Sequence, residues 1–149
     1  GDLPDALAGV SALRSVARPG DSRQPGGWSG GVLCAASGRA DAVRVGTDIV
    51  HVPRLAQQIE ELGQAFLQRV FTAQELTTCA GNMERLAARW AAKEATIKAL
   101  GWELQDVALT DIEVTGGTRP RILLHATGDV LDVSISHDGE YAIAVVIAV

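Results

Sequence analysis

Alternating apolar and polar positions mark the first regular element of the chain. In residues 43–50, VRVGTDIV, every second position carries Val, Thr or Ile, a period of two that predicts a half-buried strand. Pro53 suits the first turn of a helix, and the pattern predicts a helix over residues 54–62 that ends at Gly63. The run Thr72-Ala73-Gln74-Glu75 has the form of a capping box and predicts the start of another short helix.

The strongest helical pattern covers about residues 83–100, which are rich in Ala and Leu and are followed by Gly101. Residues 111–114 and 121–125 read as strands on either side of a Gly-Gly turn. Residues 133–137 and 141–149 read as a hairpin across Asp-Gly, a strong turn signal. This order predicts an α+β fold, with a mostly antiparallel sheet packed against a long central helix.

Residues 1–42 differ in kind from the rest of the chain. The stretch 24–31 is dominated by Gly, Pro and Ser, as in flexible linkers. We therefore expect residues 1–42 to be a tether to an upstream module and residues 43–149 to be the folded domain, although a cloning remnant would explain the same composition.

Composition and charge exclude several classes of protein. With 47% hydrophobic and 21% charged residues, the chain has the balance of a globular domain, and its net charge of −5 argues against a nucleic-acid binder. The longest apolar run, residues 142–149, is too short to span a bilayer. Cys34 and Cys79 have no metal-type spacing, and we expect reduced thiols in a cytoplasmic protein.

The long helix carries the first candidate chemistry. Steps of four residues link Leu86, Trp90, Glu94 and Lys98 in one ridge. Because the first two are apolar, the ridge faces the core and would bury Glu94, which is costly unless the carboxylate is paired or binds a metal. An ordinary Glu94–Lys98 pair within the helix is the plain alternative.

A second ridge on the same helix is wholly basic. It consists of Arg85, Arg89 and Lys93, again spaced by four residues. Its plain interpretation is a solvated helix face.

Asp48 and His137 are further anomalies. Asp48 stands inside a strand pattern, where Asp is disfavoured, with Gly46 leaving room on the same face. A carboxylate on a strand beside a carboxylate on a helix suits a hard divalent cation completed by phosphate oxygens and water. His137 ends the run Ser134-Ile135-Ser136-His137, and a lone histidine at a strand end is usually ordinary surface.

Taken together, three segments resemble the holo-acyl-carrier-protein synthase family of phosphopantetheinyl transferases. They are VGTDIV at 45–50, RWAAKEATIKALG at 89–101 and VSISH at 133–137. The central segment is the specific one: an aromatic residue before Ala-x-Lys-Glu-Ala, with a second Lys four residues after the Glu. The resemblance covers about residues 43–149. It departs at Gly101-Trp102-Glu103, where many members have Gly-Thr-Gly.

The resemblance implies a transfer of phosphopantetheine from coenzyme A to a carrier-protein serine, with release of 3′,5′-ADP. Asp48 and Glu94 would hold Mg²⁺ at the pyrophosphate, and Lys98 would neutralise the departing group. The base is either Glu94 or a metal-activated water. No reactive Cys or Ser triad is needed for such chemistry.

The resemblance also implies the remaining contacts. Arg89 and His137, with a contribution from Lys93, would meet the nucleotide half of coenzyme A. Arg54 would meet the acidic acyl carrier protein. Small members of the family are homotrimers with sites between subunits, so His137 would serve a neighbouring chain.

Two other functions compete with this interpretation. A metal-dependent phosphohydrolase would use water in place of the serine and would need no carrier. A non-catalytic trimerisation module would keep the fold and bind coenzyme A, although such a module has no need for Asp48, Glu94 and Lys98 together.

Overall fold

The structure, a computed structural model, describes residues 42–149. Its elements in chain order are β1 (Arg44–His51), α1 (Val52–Val70), α2 (Ala73–Cys79), α3 (Met83–Leu100), β2 (Ile112–Thr115), β3 (Arg121–Leu124), β4 (Val130–Asp138) and β5 (Tyr141–Ala148). Two short 3₁₀ turns, Leu104–Asp106 and Leu109–Asp111, connect α3 to β2. The predicted order of one strand, then helices, then three or four strands is confirmed, and the strands after the helices number four in the described residues.

The five strands form one sheet in the order β1-β5-β4-β3-β2, and every pairing is antiparallel. The long helix α3 packs across one face of this sheet, mainly on β1 and β5. This is the α+β architecture that the sequence predicted. The β4–β5 hairpin turns at Asp138, which pairs with Tyr141 across the turn.

Both ends of α3 are capped by local chemistry. At the start, the Asn82 side chain accepts a hydrogen bond from the Arg85 amide at 2.9 Å. At the end, Gly101 adopts the left-handed conformation, with φ of 66°, which glycine adopts without a steric penalty. The predicted bounds of this helix are confirmed.

The other two helices follow the sequence signals with one extension. Gly63 has φ of 67° and interrupts α1 where the sequence predicted its end, but helical structure resumes beyond it to Val70. The capping box is formed: the Thr72 hydroxyl accepts from the Glu75 amide at 3.2 Å, and the Glu75 carboxylate accepts from the Thr72 amide at 2.9 Å.

The strand β1 alternates as predicted, but its more apolar side is the exposed one. Gly46 is buried against α3, so closely that a Cβ there would lie 1.9 Å from the carbonyl oxygen of Ala95. The expectation that Gly46 leaves room beside Asp48 is therefore wrong, because the backbone of α3 fills that space. On the opposite face Val45 and Ile49 are 61% and 60% exposed.

The predicted tether over residues 1–42 lies, apart from Ala42, outside the described residues, as do Cys34 and the Gly-rich stretch. Within residues 42–149, no helix is long and apolar enough to cross a membrane.

Candidate active site

Asp48, Glu94 and Lys98 meet where α3 crosses β1. The Lys98 ammonium donates to Asp48 Oδ1 at 2.7 Å and to the Thr47 carbonyl at 3.0 Å. The lysine therefore bonds to the strand and not within its own helix, in contrast to the plain alternative of a Glu94–Lys98 pair. The close approach at Gly46 brings the two elements near enough for this contact.

Glu94 is buried beside this pair, with 8% of its surface exposed. The indole of Trp90, one turn earlier, donates to Glu94 Oε1 at 2.5 Å. The Trp90 ring is itself held by stacking on Phe66, with ring centroids 5.3 Å apart, and by an edge contact with Phe71. The ridge predicted from steps of four residues is thus inward-facing, and it orients the carboxylate of Glu94.

The environment of Glu94 disfavours its charge. Burial of the carboxyl group, followed by hydrogen bonding to Asp48 and repulsion from its charge, raises the pKa of Glu94 from its ordinary 4.5 to about 8. The Trp90 hydrogen bond and the Lys98 ammonium act in the opposite direction but are weaker. In the absence of a cation, this environment favours the protonated form of Glu94.

One oxygen of this cluster lacks a partner. Asp48 Oδ2 is buried and accepts no hydrogen bond, which is costly for a carboxylate. A divalent cation suits this oxygen, because two adjacent carboxylates are typical ligands of Mg²⁺. Among residues 42–149 no group of three acidic, His or Cys side chains gathers to hold a metal. An ion at Asp48 and Glu94 would need further oxygens from substrate and water.

The basic ridge of α3 is not a solvated face. Only Arg85 is exposed, whereas Arg89 is 9% exposed. One Arg89 nitrogen donates to the Arg85 carbonyl at 3.3 Å, and Nε is buried without a partner. Since Arg89 precedes Glu94 by five positions, it lies about 140° around the helix from it, so the two side chains leave α3 in different directions.

Lys93 does not fit the role expected for it. Its side chain is fully buried, and its ammonium contacts Glu75 Oε2 at 2.8 Å, the Leu109 carbonyl at 2.8 Å and the Ile112 carbonyl at 2.5 Å. These three acceptors use all three ammonium protons. We therefore withdraw Lys93 as a contact to the nucleotide, because no proton remains for a phosphate.

His137 and Arg54 lie away from the carboxylates. His137 is exposed at the end of β4, with Nδ1 3.7 Å from Glu84 Oε2 in the first turn of α3. Glu84 precedes Glu94 by ten residues, about 15 Å along the helix. Arg54 is exposed on the first turn of α1. A single chain therefore brings Asp48, Glu94 and Lys98 together and leaves the other predicted residues apart.

Glu75 is the buried charge that the sequence did not reveal. The capping box accounts for a Glu at this position by itself, and such residues are usually at the surface. Here Glu75 is 1% exposed, and its second oxygen accepts from the Val114 amide at 2.9 Å. No sequence signal distinguished this carboxylate from a solvent-exposed cap.

One cavity in the described part of the chain does not include the carboxylates. It has a volume of about 410 Å³ and opens past the C-terminus of α3. Its lining residues include Trp102, Glu103, Asp106, Val107, Asp111 and Leu124. Asp48, Glu94 and Lys98 are not among its lining residues.

Comparison with known proteins identifies the family. The model of the 4′-phosphopantetheinyl transferase superfamily matches residues 44–146. The chain belongs to this superfamily. Its motifs at β1, α3 and β4 had indicated the same family, and that interpretation is confirmed.

Two similar relatives within the superfamily share a name. The chain is 42% identical over 118 residues to a holo-[acyl-carrier-protein] synthase from Gloeobacter violaceus, covering 69% of this chain and 89% of that protein. A similar enzyme from Koribacter versatilis is 41% identical over 117 residues, covering 68% and 94%. These relatives are phosphopantetheinyl transferases, and the chain is an enzyme of that class.

A solved structure extends the likeness to three dimensions. The holo-[acyl-carrier-protein] synthase of Helicobacter pylori, in complex with coenzyme A, matches with a TM-score of 0.64 and 30% identity. The match covers 70% of this chain and 99% of the other.

Proposed function

We propose that this chain transfers 4′-phosphopantetheine from coenzyme A to a serine of an acyl carrier protein, in a Mg²⁺-dependent reaction that releases 3′,5′-ADP. The names of its relatives and the coenzyme A complex of a similar structure support this proposal. The observation that carries it is the buried Asp48–Glu94 pair with its unpartnered oxygen, next to the ammonium of Lys98. Neither a scaffold nor a simple coenzyme A binder needs that arrangement.

Asp48 and Glu94 are the residues that would hold Mg²⁺. The bound ion would neutralise charge on the pyrophosphate, which is the main requirement of phosphoryl-type transfer. Burial and the neighbouring Asp48 raise the pKa of Glu94, and a cation held by both carboxylates would favour its charged form.

Lys98 is the residue that would stabilise the departing group. The serine hydroxyl attacks the phosphorus next to pantetheine, forming a new P–O bond while the bond to 3′,5′-ADP breaks. Negative charge then grows on the leaving oxygen, and a fixed ammonium there lowers the barrier. Glu94, oriented by the Trp90 indole, is the candidate acceptor for the serine proton.

Arg89 and His137 are proposed contacts to the nucleotide half of coenzyme A. Arg89 is a buried guanidinium with an unpartnered nitrogen, and this favours an anionic ligand. His137, on β4, lies beside the first turn of α3, about 15 Å along that helix from Glu94. We infer that His137 serves the site of a neighbouring chain.

A homotrimer would supply that neighbour. The face of the sheet away from α3 presents an apolar stripe, with Val45 opposite Ile147 and Ile49 opposite Ile143. These side chains are 41–61% exposed, and contiguous exposed apolar side chains are typical of interaction surfaces. Sedimentation analysis would then give three chains per particle, and Ile143→Glu would give monomers.

The remaining expectations stay proposals. Arg54, exposed on α1, is the proposed contact to the acidic carrier. We propose a cytoplasmic location and a tether over residues 1–42 to a fatty-acid or polyketide multienzyme.

Intact-mass analysis of an apo carrier protein tests the function. The carrier is incubated with this chain, coenzyme A and Mg²⁺, with a parallel reaction in EDTA. We expect a mass gain of one phosphopantetheine that EDTA abolishes. No gain on several carriers would refute the transferase, and release of 3′,5′-ADP without a carrier would identify a phosphohydrolase instead.

A further inference from the structure

The buried link between Lys93 and Glu75 has no part in the chemistry proposed above. Lys93 and Glu75 are 0% and 1% exposed, and the ammonium nitrogen lies 2.8 Å from Glu75 Oε2. Glu75 also accepts from the Thr72 and Val114 amides, each at 2.9 Å. Together with the two carbonyls that Lys93 reaches, every proton and oxygen of this link has a partner.

This link joins three separate parts of the fold. Glu75 belongs to α2 and Lys93 belongs to α3. The Leu109 carbonyl comes from the turn before β2, while the Ile112 carbonyl and the Val114 amide belong to β2 itself. The link therefore fixes one side of α3 to two neighbouring elements at a single point.

Much of the packing surface of α3 is shallow. Six of its thirteen buried residues are alanines: Ala87, Ala88, Ala91, Ala92, Ala95 and Ala99. The larger apolar side chains there are Leu86, Trp90 and Ile97. Because alanine ridges are shallow, ridge-into-groove packing is weak along much of this helix, and directional bonds add to the definition of its rotation.

Small rotations matter because Glu94 directly follows Lys93. Neighbouring helical side chains point about 100° apart, and side-chain ends lie about 5–6 Å from the axis. A rotation of about 10° therefore moves the Glu94 carboxylate by about 1 Å, a displacement that costs up to about 10²-fold in rate in other enzymes. The Lys98 contact with β1 restrains the helix on the opposite side.

We propose that Lys93 and Glu75 are positioning residues, which set the rotation of α3 so that Glu94 meets Asp48. This inference rests on the proposed function for its catalytic consequence. Its geometric part stands on the contacts alone. Stability is not an adequate reason for the link, because apolar residues of similar volume are often as stabilising as a buried ion pair.

The indole proton of Trp90 reports the position of Glu94 directly, because it donates to Glu94 Oε1. In a nitrogen–proton NMR spectrum, this resonance is assigned by its loss in Trp90→Phe. Glu94→Ala provides the position of the resonance without the hydrogen bond. The test uses Lys93→Met and the double variant Glu75→Gln, Lys93→Met. The double variant leaves no unpaired buried charge, so it provides the test if the single variant fails to fold.

A control separates positioning from loss of stability. Leu124→Ala truncates a buried side chain on β3, outside the link, and spectra are recorded at temperatures where circular dichroism finds each variant folded. We expect the Trp90 resonance of the link variants to move at least halfway toward its position in Glu94→Ala. In Leu124→Ala it should stay at the wild-type position.

The link variants and Leu124→Ala should also differ in their transfer kinetics. In the link variants, kcat for phosphopantetheine transfer should fall about 10- to 100-fold with KM for coenzyme A within about threefold, since orientation and not binding is lost. A Trp90 resonance and a kcat equal to those of Leu124→Ala would overturn the inference. If the wild-type chain transfers nothing, the proposed function fails, and the resonance alone then decides whether the link positions Glu94.

Discussion

Two buried charged clusters lie on different sides of α3, and they differ in how well their polar atoms are satisfied. In the cluster of Lys93 and Glu75, each donor and acceptor has a partner from the fold. In the cluster of Asp48 and Glu94, one carboxylate oxygen is buried without a partner and the other residue has a pKa raised to about 8.

The difference separates a structural cluster from a functional one. The fold itself completes the Lys93–Glu75 cluster, whereas the Asp48–Glu94 cluster is incomplete until an ion and a substrate arrive. Buried charge alone does not identify an active site, because both clusters are buried. An unsatisfied buried carboxylate oxygen distinguishes the candidate active site.

The largest expected effect comes from removing a carboxylate of the incomplete cluster. Asp48→Ala or Glu94→Ala should lower transfer by about 10³-fold or more, since several kcal/mol of metal-derived stabilisation is lost. The intact-mass assay measures the rate, and circular dichroism checks the fold. Retained activity in either variant, or unfolding of both, would refute the assignment of these residues to a metal.

The stability of the folded protein should depend on pH through Glu94. Because the folded state raises the pKa of Glu94 from 4.5 to about 8, the folded protein binds this proton more tightly than the unfolded chain does. The free energy of unfolding of the metal-free protein should therefore fall as pH rises from about 4.5 to 8. In Glu94→Gln this loss should be absent, so thermal unfolding at pH 8 should occur at a higher temperature than in the wild type. A wild-type Tm profile that matches the variant at every pH would contradict the raised pKa.

The next largest effect should come from Lys98. Lys98→Ala removes the ammonium at the departing group, and we expect a fall of about 10²- to 10³-fold in kcat, with a small change in KM for the carrier. Steady-state kinetics with varied carrier concentration measures both constants. An unchanged kcat would show that the contact with Asp48 is only structural.

The smallest effect should come from Arg54, outside both clusters. An exposed ion pair contributes up to about 1 kcal/mol, so Arg54→Ala should raise KM for the carrier by up to about fivefold and leave kcat unchanged. The effect should shrink at high salt. Exposed Arg69, on the last turn of α1, provides a matched control. If Arg69→Ala has the same effect, Arg54 is not a specific contact.

Local patterns in the sequence predicted most of the fold. The alternation at β1, the capping box before α2 and the glycine after α3 each depend on residues close together in the chain. The same is true of the Glu94 ridge, since steps of four residues place side chains on one helix face. These features could be read directly because their physical causes are local.

Contacts between distant segments could not be predicted in the same way. The burial of Lys93 depends on carbonyls 16 and 19 residues later in the chain, and the spacing of Arg85, Arg89 and Lys93 is equally compatible with a solvated face. For β1, the alternation defined two faces, but only the packing of α3 on Gly46 determined which of them is buried.

A titration with Mn²⁺, followed by electron paramagnetic resonance of the free ion, tests most directly whether Asp48 and Glu94 form a metal site. It is performed at pH 8 with coenzyme A present, on the wild type, Asp48→Asn and Lys93→Met. We predict one bound ion per wild-type chain. In Asp48→Asn we expect no more Mn²⁺ binding than coenzyme A shows without protein. In Lys93→Met we expect binding that is weaker than in the wild type but still measurable. Equal binding by the wild type and Asp48→Asn would contradict the account.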